Sequence, residues 1–250
     1  MFGLKEIDFF EVVETFHTYQ NPTSEQKLDQ LIEYIEAKDG SQILDVGCGK
    51  GWLLRRIAQE YAIQGVGVEL REGTLQQAHE LNEQTTLKGK LDFVQMDAKQ
   101  FQPSQQFDIV MCIGASFAIG TFEDMLDIIV PWVKPGGVLA VGDIYARVES
   151  LPEESAVHFS GGHPRTFSET IAMLDTAPLD LVAAIDSSLD EWDRYESLHA
   201  YAANRWLREN PNHVDYDKFA KLARSFKRNH FFYDRDALGW SLFVSRVSGD

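Results

Sequence analysis

The chain is short of cysteine, of basic residues and of long apolar runs, and each shortage narrows what it can be. Only Cys48 and Cys112 occur among its 250 residues. Neither stands in a CxxC or Cys/His spacing, so neither a disulfide framework nor a zinc site is expected. Met1 to Gln20 lacks a basic start followed by an apolar run and carries Glu6, Asp8, Glu11 and Glu14 instead. Free thiols without a secretory leader point to the cytoplasm. No apolar stretch approaches the length of a membrane span. Lys and Arg number 23 against 39 Asp and Glu, a formal net charge of −16. Nucleic-acid affinity rests mainly on Lys and Arg neutralising phosphates, so this surface repels such partners. A local basic group at Lys221, Arg224, Lys227 and Arg228 is spaced as the solvated face of a helix. The expected partner is a small molecule, with neither nucleic acid nor membrane, and the expected assembly is a monomer or homodimer.

What is present is an ordinary globular composition, 44% hydrophobic and 25% charged, enough for one domain over 1–250 with a sizeable core. Leu28, Leu31, Ile32 and Ile35 recur at helical spacing behind a possible Thr23/Gln26 capping box, predicting a helix over 24–37. Residues 1–40 read as an N-terminal helical segment able to act as a lid. Strands are expected at 42–46, 65–69, 91–95, 107–113 and 137–143. Helices are expected from Trp52 through Tyr61, at 72–82 and at 122–132. Such alternation predicts a parallel sheet covered on both faces. Further on, 168–174 reads as a helix, 179–185 as a strand and 240–247 as the last strand. A polar, aromatic helical stretch over about 190–228 predicts an insert, 188–236, between the final two strands. His158 and His163 flank Gly161-Gly162 without further ligands nearby, which reads as a loop and not a metal site.

The segment Ile43-Leu44-Asp45-Val46-Gly47-Cys48-Gly49-Lys50-Gly51 carries the most information. A buried strand turns sharply into a helix there, where glycine lets a ligand approach the backbone and the helix start offers free N–H groups. The spacing is G-x-G-x-G and not the G-x-G-x-x-G that seats a pyrophosphate. Asp45 ahead of the turn disfavours a diphosphate and suits an amino-acid ammonium. Glu69, at the end of the second strand, stands where such folds place an acid on a ribose diol. A ligand with ribose but no phosphate fits both, and an NAD-dependent oxidoreductase does not.

Asp45 through Gly51 resembles the first motif of class I S-adenosylmethionine (SAM)-dependent methyltransferases. Gly67-Val68-Glu69 resembles that family's ribose motif, and Met96-Asp97-Ala98 its third. Phe107-Asp108-Ile109-Val110 through Gly114 resembles the fourth, and Val133-Lys134-Pro135-Gly136-Gly137 the turn that follows it. The five stand in order over about 42–143. The resemblance implies a Rossmann-like α/β fold with a seven-stranded, mainly parallel sheet whose last strand is antiparallel. It implies SAM as cofactor and S-adenosylhomocysteine as product. Its pocket would be lined by Asp45, Gly47, Cys48, Gly49 and Gly51 from the first motif, by Glu69 and Leu70, by Asp97 and Ala98, and by Ile113 and Gly114. His17 to Asn21-Pro22, Gly114-Ala115-Ser116, Gly142-Asp143-Ile144-Tyr145 and Glu191-Trp192-Asp193-Arg194-Tyr195-Glu196 resemble more narrowly a bacterial group of small methyltransferases with a helical insert. That group says little about the methyl acceptor.

Ligands of open α/β sheets bind above the strand carboxyl ends. The loops after Ile113 and Asp143 should therefore face the transferring methyl. His17, Asp143 and Tyr145 are the candidate catalytic residues, Asp143 as a base or a cation contact. Ser116, Arg147, Trp192 and Tyr195 are candidate acceptor contacts, the two aromatics lying three residues apart on one helical face. Structural roles compete at each: a loop carboxylate capping amides for Asp143, packing for Tyr145, Trp192 and Tyr195, a buried structural imidazole for His17. The functional reading is methyl transfer to a small molecule. A non-catalytic SAM-binding module and an aminopropyl- or cyclopropane-forming transferase are the alternatives.

Overall fold

The computed structural model describes residues 3–156, 159 and 165–249; the loop read at His158 and His163 lies outside them. Among the described residues, seven strands form one sheet in the order β3-β2-β1-β4-β5-β7-β6. They are β1 (Gln42–Val46), β2 (Gln64–Glu69), β3 (Lys90–Gln95), β4 (Phe107–Ile113), β5 (Val133–Ala146), β6 (Leu179–Asp186) and β7 (Leu238–Val247). Only β7 runs antiparallel to its neighbours. The carboxyl ends of β1, β2, β4 and β5 thus share one edge. β5 extends beyond the expected 137–143 at both ends. The Pro135-Gly136-Gly137 turn is absorbed as a register shift against β4 between Phe107 and Ile109.

Helices cover both faces. α1 (Phe9–Val13) and α2 (Glu25–Ile35) precede the sheet, and α3 (Trp52–Glu60), α4 (Glu72–Glu83), α5 (Phe122–Ile129), α6 (Glu153–Ala156) and α7 (Phe167–Leu174) connect its strands. One apolar layer packs Leu28, Leu31, Leu54 and Ile57 of α2 and α3 on Ile43, Met111 and Leu242. The other packs Phe122, Met125 and Leu174 of α5 and α7 on Leu44, Val110 and Phe243. The expected insert is two helices, α8 (Leu189–Glu209) and α9 (Tyr216–Asn229), then a π turn over His230–Asp234 and the short α10 (Arg235–Ala237). A Ser188/Glu191 capping box starts α8. Asn210-Pro211 divides the stretch read as continuous, since proline cannot donate within a helix. A third apolar cluster of Phe9, Val13, Ala203 and Phe219 joins α1 to α8 and α9. This is how the acidic N-terminus, unassigned beyond a general helical segment, becomes a helix. Asp8 caps it by accepting from the Phe10 and Glu11 amides, and Phe9 stacks on Phe226 at 4.9 Å.

Candidate functional site

The glycine turn is tied to β2 before any ligand is considered. The Gly47 and Cys48 amides both donate to Val68 O, at 2.8 and 3.0 Å. Glu69 Oε2 accepts from the Gly49 amide at 3.1 Å and Oε1 from the Arg71 amide at 2.9 Å. Asp45 and Glu69 are both buried, and the Asp45 carboxylate accepts no hydrogen bond among the described residues. Burial, and then the neighbouring Glu69 charge, push the Asp45 carboxyl up to about 7. A buried carboxylate without a donor, facing a second acid, is an electrostatic cost that a cationic ammonium or ribose hydroxyls would relieve. The pair therefore fits the nucleoside with an amino-acid tail inferred from sequence.

Residues 14–21 lie across this turn. Lys50 Nζ donates to Glu14 O at 2.8 Å and His17 O at 2.9 Å, with Thr15 O at 3.5 Å. Gln20 Oε1 accepts from the Lys50 amide at 2.9 Å, and Gln20 Nε2 donates to the Glu14 carboxylate. Arg71 then links Glu14 (3.0 Å) to Glu69 (3.5 Å). Gly49, at φ 54°, and Gly114, at φ 72°, need the left-handed region open to glycine. A Cβ on Gly49 would overlap the Gln20 amide, and one on Gly114 the Asn21 amide. Sequence reasoning gave no role to Glu14, Gln20 or Arg71. Their one signal was that Arg71 follows Glu69 by two residues.

The other predicted cofactor residues fall along the same edge. Met96 N bonds Glu69 O at 3.0 Å, which brings the third motif beside the second. Asp97 accepts from the Lys99 amide at 2.9 Å and Ala98 is buried. Leu70 is 60% exposed at the end of β2. Ile113 is buried and Gly114 N bonds Gly142 O at 2.7 Å.

The acceptor and catalytic candidates separate into distinct groups. Asp143 is buried and accepts from Ser116 Oγ at 2.6 Å and its neighbour Ile144 N at 2.7 Å, with Arg165 Nη2 at 3.3 Å. Burial raises its pKa, against the opposing pull of Arg165 and Ser116. Arg165, not foreseen from sequence, lies over the Phe122 ring at 4.1 Å. Cys112 is buried in the same layer, where burial raises its thiol pKa. Tyr145 and Arg147 do not join this group. Tyr145 donates to Asp186 at 2.8 Å, as does Ser241 at 2.7 Å, and Arg147 reaches Asp186 at 3.2 Å and Leu238 O at 3.0 Å. That network spans the ends of β5, β7 and β6. His17 is pinned by the Tyr195 carbonyl, 3.0 Å from Nε2, and its buried Nδ1 has no partner. Burial first, then His199, lower its pKa to about 4, so the ring is neutral near pH 7. Tyr195 packs edge-on against His17 at 4.7 Å and points its hydroxyl at Gln20 O, 3.4 Å away. Trp192 is turned into the core beside His230, with ring centres 5.8 Å apart. Tyr195 packs against the same core cluster that holds Trp192, and Tyr195 in addition reaches His17 and Gln20. No group of three or more His, Cys, Asp or Glu able to hold a metal occurs among the described residues.

Residues 43–137 match a family described as a methyltransferase domain. With this strand order and glycine turn, the chain carries a methyltransferase domain in the class I fold and is an enzyme of methyl transfer that uses SAM and releases S-adenosylhomocysteine. It is similar, more particularly, to a full-length bacterial type. Escherichia coli YjhP is 28% identical over 242 residues, covering 94% of this chain and 96% of that one, and its crystal structure superposes with a TM-score of 0.86. A SAM-dependent methyltransferase from Geobacter sulfurreducens, solved with S-adenosylhomocysteine, is 25% identical with a TM-score of 0.88 over 98% of this chain and 99% of its own. One from Thiobacillus denitrificans, also solved with S-adenosylhomocysteine, is 26% identical with a TM-score of 0.85, covering 96% and 98%.

Proposed function

We propose that this methyltransferase acts on a small-molecule acceptor. The observation that carries the reading is the cover over the glycine turn. Gln20 and Asn21 rest on Gly49 and Gly114, and Lys50 holds the segment down from below. Tyr195 of α8 backs it. A crevice roofed by the chain's own side chains suits a compact substrate and not a polymer, and the net charge of −16 opposes nucleic acid. No helix among the described residues is long and apolar enough to cross a membrane.

In this reading residues 1–40 act as a lid and the insert 188–236 as its support. SAM supplies an electrophilic methyl, and the chain's task is alignment and exclusion of water, worth on the order of 7–11 kcal/mol in favourable cases. Asp45 meets the ammonium and Glu69 the ribose diol, while Asp97, Ala98, Leu70, Ile113 and Gly114 line the base. Asp143, oriented by Ser116 and Arg165, faces the acceptor side. Neutral His17 offers Nδ1 as a proton acceptor for an acceptor that arrives protonated.

The test is a screen of cellular metabolites with SAM labelled in its methyl group, followed by mass spectrometry. The expected result is label in one low-mass product, absent with the Glu69→Ala variant. Label recovered only in protein or RNA fractions would overturn the small-molecule assignment.

A further inference from the structure

Arg55 is a charged side chain that the methyl-transfer site leaves unused. It is 7% exposed and carries no ion pair with any described residue. It sits on α3, where its Nη1 donates to Lys50 O. Room for it comes from Gly51: a Cβ there would lie 2.6 Å from the Phe93 ring and 3.2 Å from Arg55 Nη1. Burial lowers its pKa only to about 10, so it remains a cation near pH 7. In a chain with a formal net charge of −16, a buried guanidinium left without a carboxylate needs an explanation, because buried charges are normally paired.

Arg55 lines a groove of about 520 Å³ between α3, α4 and residues 15–18. This groove shares His17 and Lys50 with the cover of the glycine turn, while neither Asp45 nor Glu69 lines it. Its walls add Arg56, whose charge is shared with Asp29 and Glu60, and the Lys50 stem. Glu25 is the one carboxylate among the lining residues. Phe16, Trp52 and Leu81 supply apolar surface beside these cations. The Arg55 guanidinium nitrogens other than Nη1 are not sealed from solvent, since none is among the buried atoms lacking a partner.

The geometry points to a second ligand site in this groove, for a small organic anion: a phosphate monoester or carboxylate borne on a flat, unsaturated group. Arginine presents paired N–H donors matched to either oxyanion. Trp52 and Phe16 offer the face on which a flat group rests. A volume of about 520 Å³ is in the range of small-molecule sites. The site requires nothing of the acceptor chemistry proposed above and stands if that reading falls.

Calorimetric titration of the full chain with phenyl phosphate and with benzoate is the test, benzyl alcohol serving as the uncharged control. Saturable binding is expected for one or both anions and not for the alcohol, and which anion binds more tightly distinguishes a phosphate from a carboxylate ligand. Arg55→Gln should weaken that binding by roughly tenfold or more, the cost of losing a charged hydrogen bond, while SAM affinity stays within about twofold. Gln59→Glu, at an exposed rim position, should weaken the anion without touching the core, and it decides the matter should Arg55→Gln not fold. Anions binding no better than benzyl alcohol, or both variants binding them as the parent does, would overturn the site.

Discussion

Glu69 Oε2 accepts the Gly49 amide hydrogen at 3.1 Å, so the acid at the end of β2 and the glycine bend after β1 are one unit. Replacing Glu69 with Ala leaves the buried Gly49 amide without its acceptor and removes the carboxylate proposed to hold the ribose diol. SAM affinity is expected to fall at least roughly tenfold, or about 1.4 kcal/mol, with the far-ultraviolet circular dichroism of the parent retained. Calorimetry with SAM checks it, and parental affinity in a folded variant contradicts the pocket assignment.

Asp45 makes cofactor binding and stability respond to pH with opposite signs. Its carboxyl sits at about 7 in the folded chain against about 3.9 when unfolded. The folded state binds the proton more tightly, so stability is fullest below the unfolded value and declines as pH rises from about 4 to about 7. Ammonium binding needs the ionised form, so SAM affinity rises toward pH 7 by up to about tenfold per pH unit and levels off above it. Asp45→Asn is expected to flatten both profiles, to stabilise the ligand-free chain above pH 7 and to weaken SAM. Thermal melts and SAM titrations between pH 5 and 9 measure both; an unchanged affinity slope in the variant would count against an ammonium at Asp45.

How much of this was legible in the sequence follows from the range of the interactions. The strands β1 and β4 stand where their apolar runs placed them, because a buried parallel strand is a local pattern bounded by turns. That Asp45 and Glu69 would meet at one sheet edge was readable because a short, stereotyped turn fixes the ends of β1 and β2. Gln20, Glu14 and Arg165 were not. Each reaches its partner through tertiary packing, and no residue spacing records that Gln20 would lie on Gly49, 29 positions away. Trp192 and Tyr195 show the limit on a helix. Spacing put them on one face, and both meet the same core cluster, but that face also borders the N-terminal segment, so Tyr195 alone touches Gln20.

That boundary predicts different outcomes for the two aromatics. Trp192→Ala removes a buried indole and should cost about 3–5 kcal/mol of stability, read as a lowered denaturation midpoint with SAM affinity per folded molecule preserved. Tyr195→Ala should cost less stability and more turnover, since the tyrosine backs His17 and Gln20. Equal turnover losses at matched folded fraction would remove the case for Tyr195 as a lid support.

Lys50 is the pin of the covering segment. Its ammonium is buried, its pKa is lowered by burial, and its donors go to the carbonyls of Glu14, Thr15 and His17. Lys50→Met leaves those carbonyls unpaired, at about 1–3 kcal/mol for a buried polar group. Hydrogen exchange at residues 14–21 is expected to speed up by roughly tenfold or more while β1 and β4 keep their protection. Exchange that rises equally across the sheet would show a general loss of stability and not release of a lid.

Asp143 and Arg165 separate a catalytic role from a structural one. Asp143→Ala strands a buried guanidinium, and breaking a buried pair in this way costs about 3–5 kcal/mol. Arg165→Met alone strands the carboxylate, although Ser116 and the Ile144 amide still donate to it. The pair Asp143→Asn with Arg165→Met removes both charges and should recover most of the stability lost by either charge alone. If Asp143 only braces the loop after β5, the double variant regains turnover along with stability. A direct hand in orienting or deprotonating the acceptor predicts otherwise: the double variant melts near the parent temperature, binds SAM normally, and still turns over roughly a hundredfold more slowly, the scale of general acid–base assistance. Because folding and cofactor binding are held constant in that comparison, the remaining difference in rate belongs to the carboxylate.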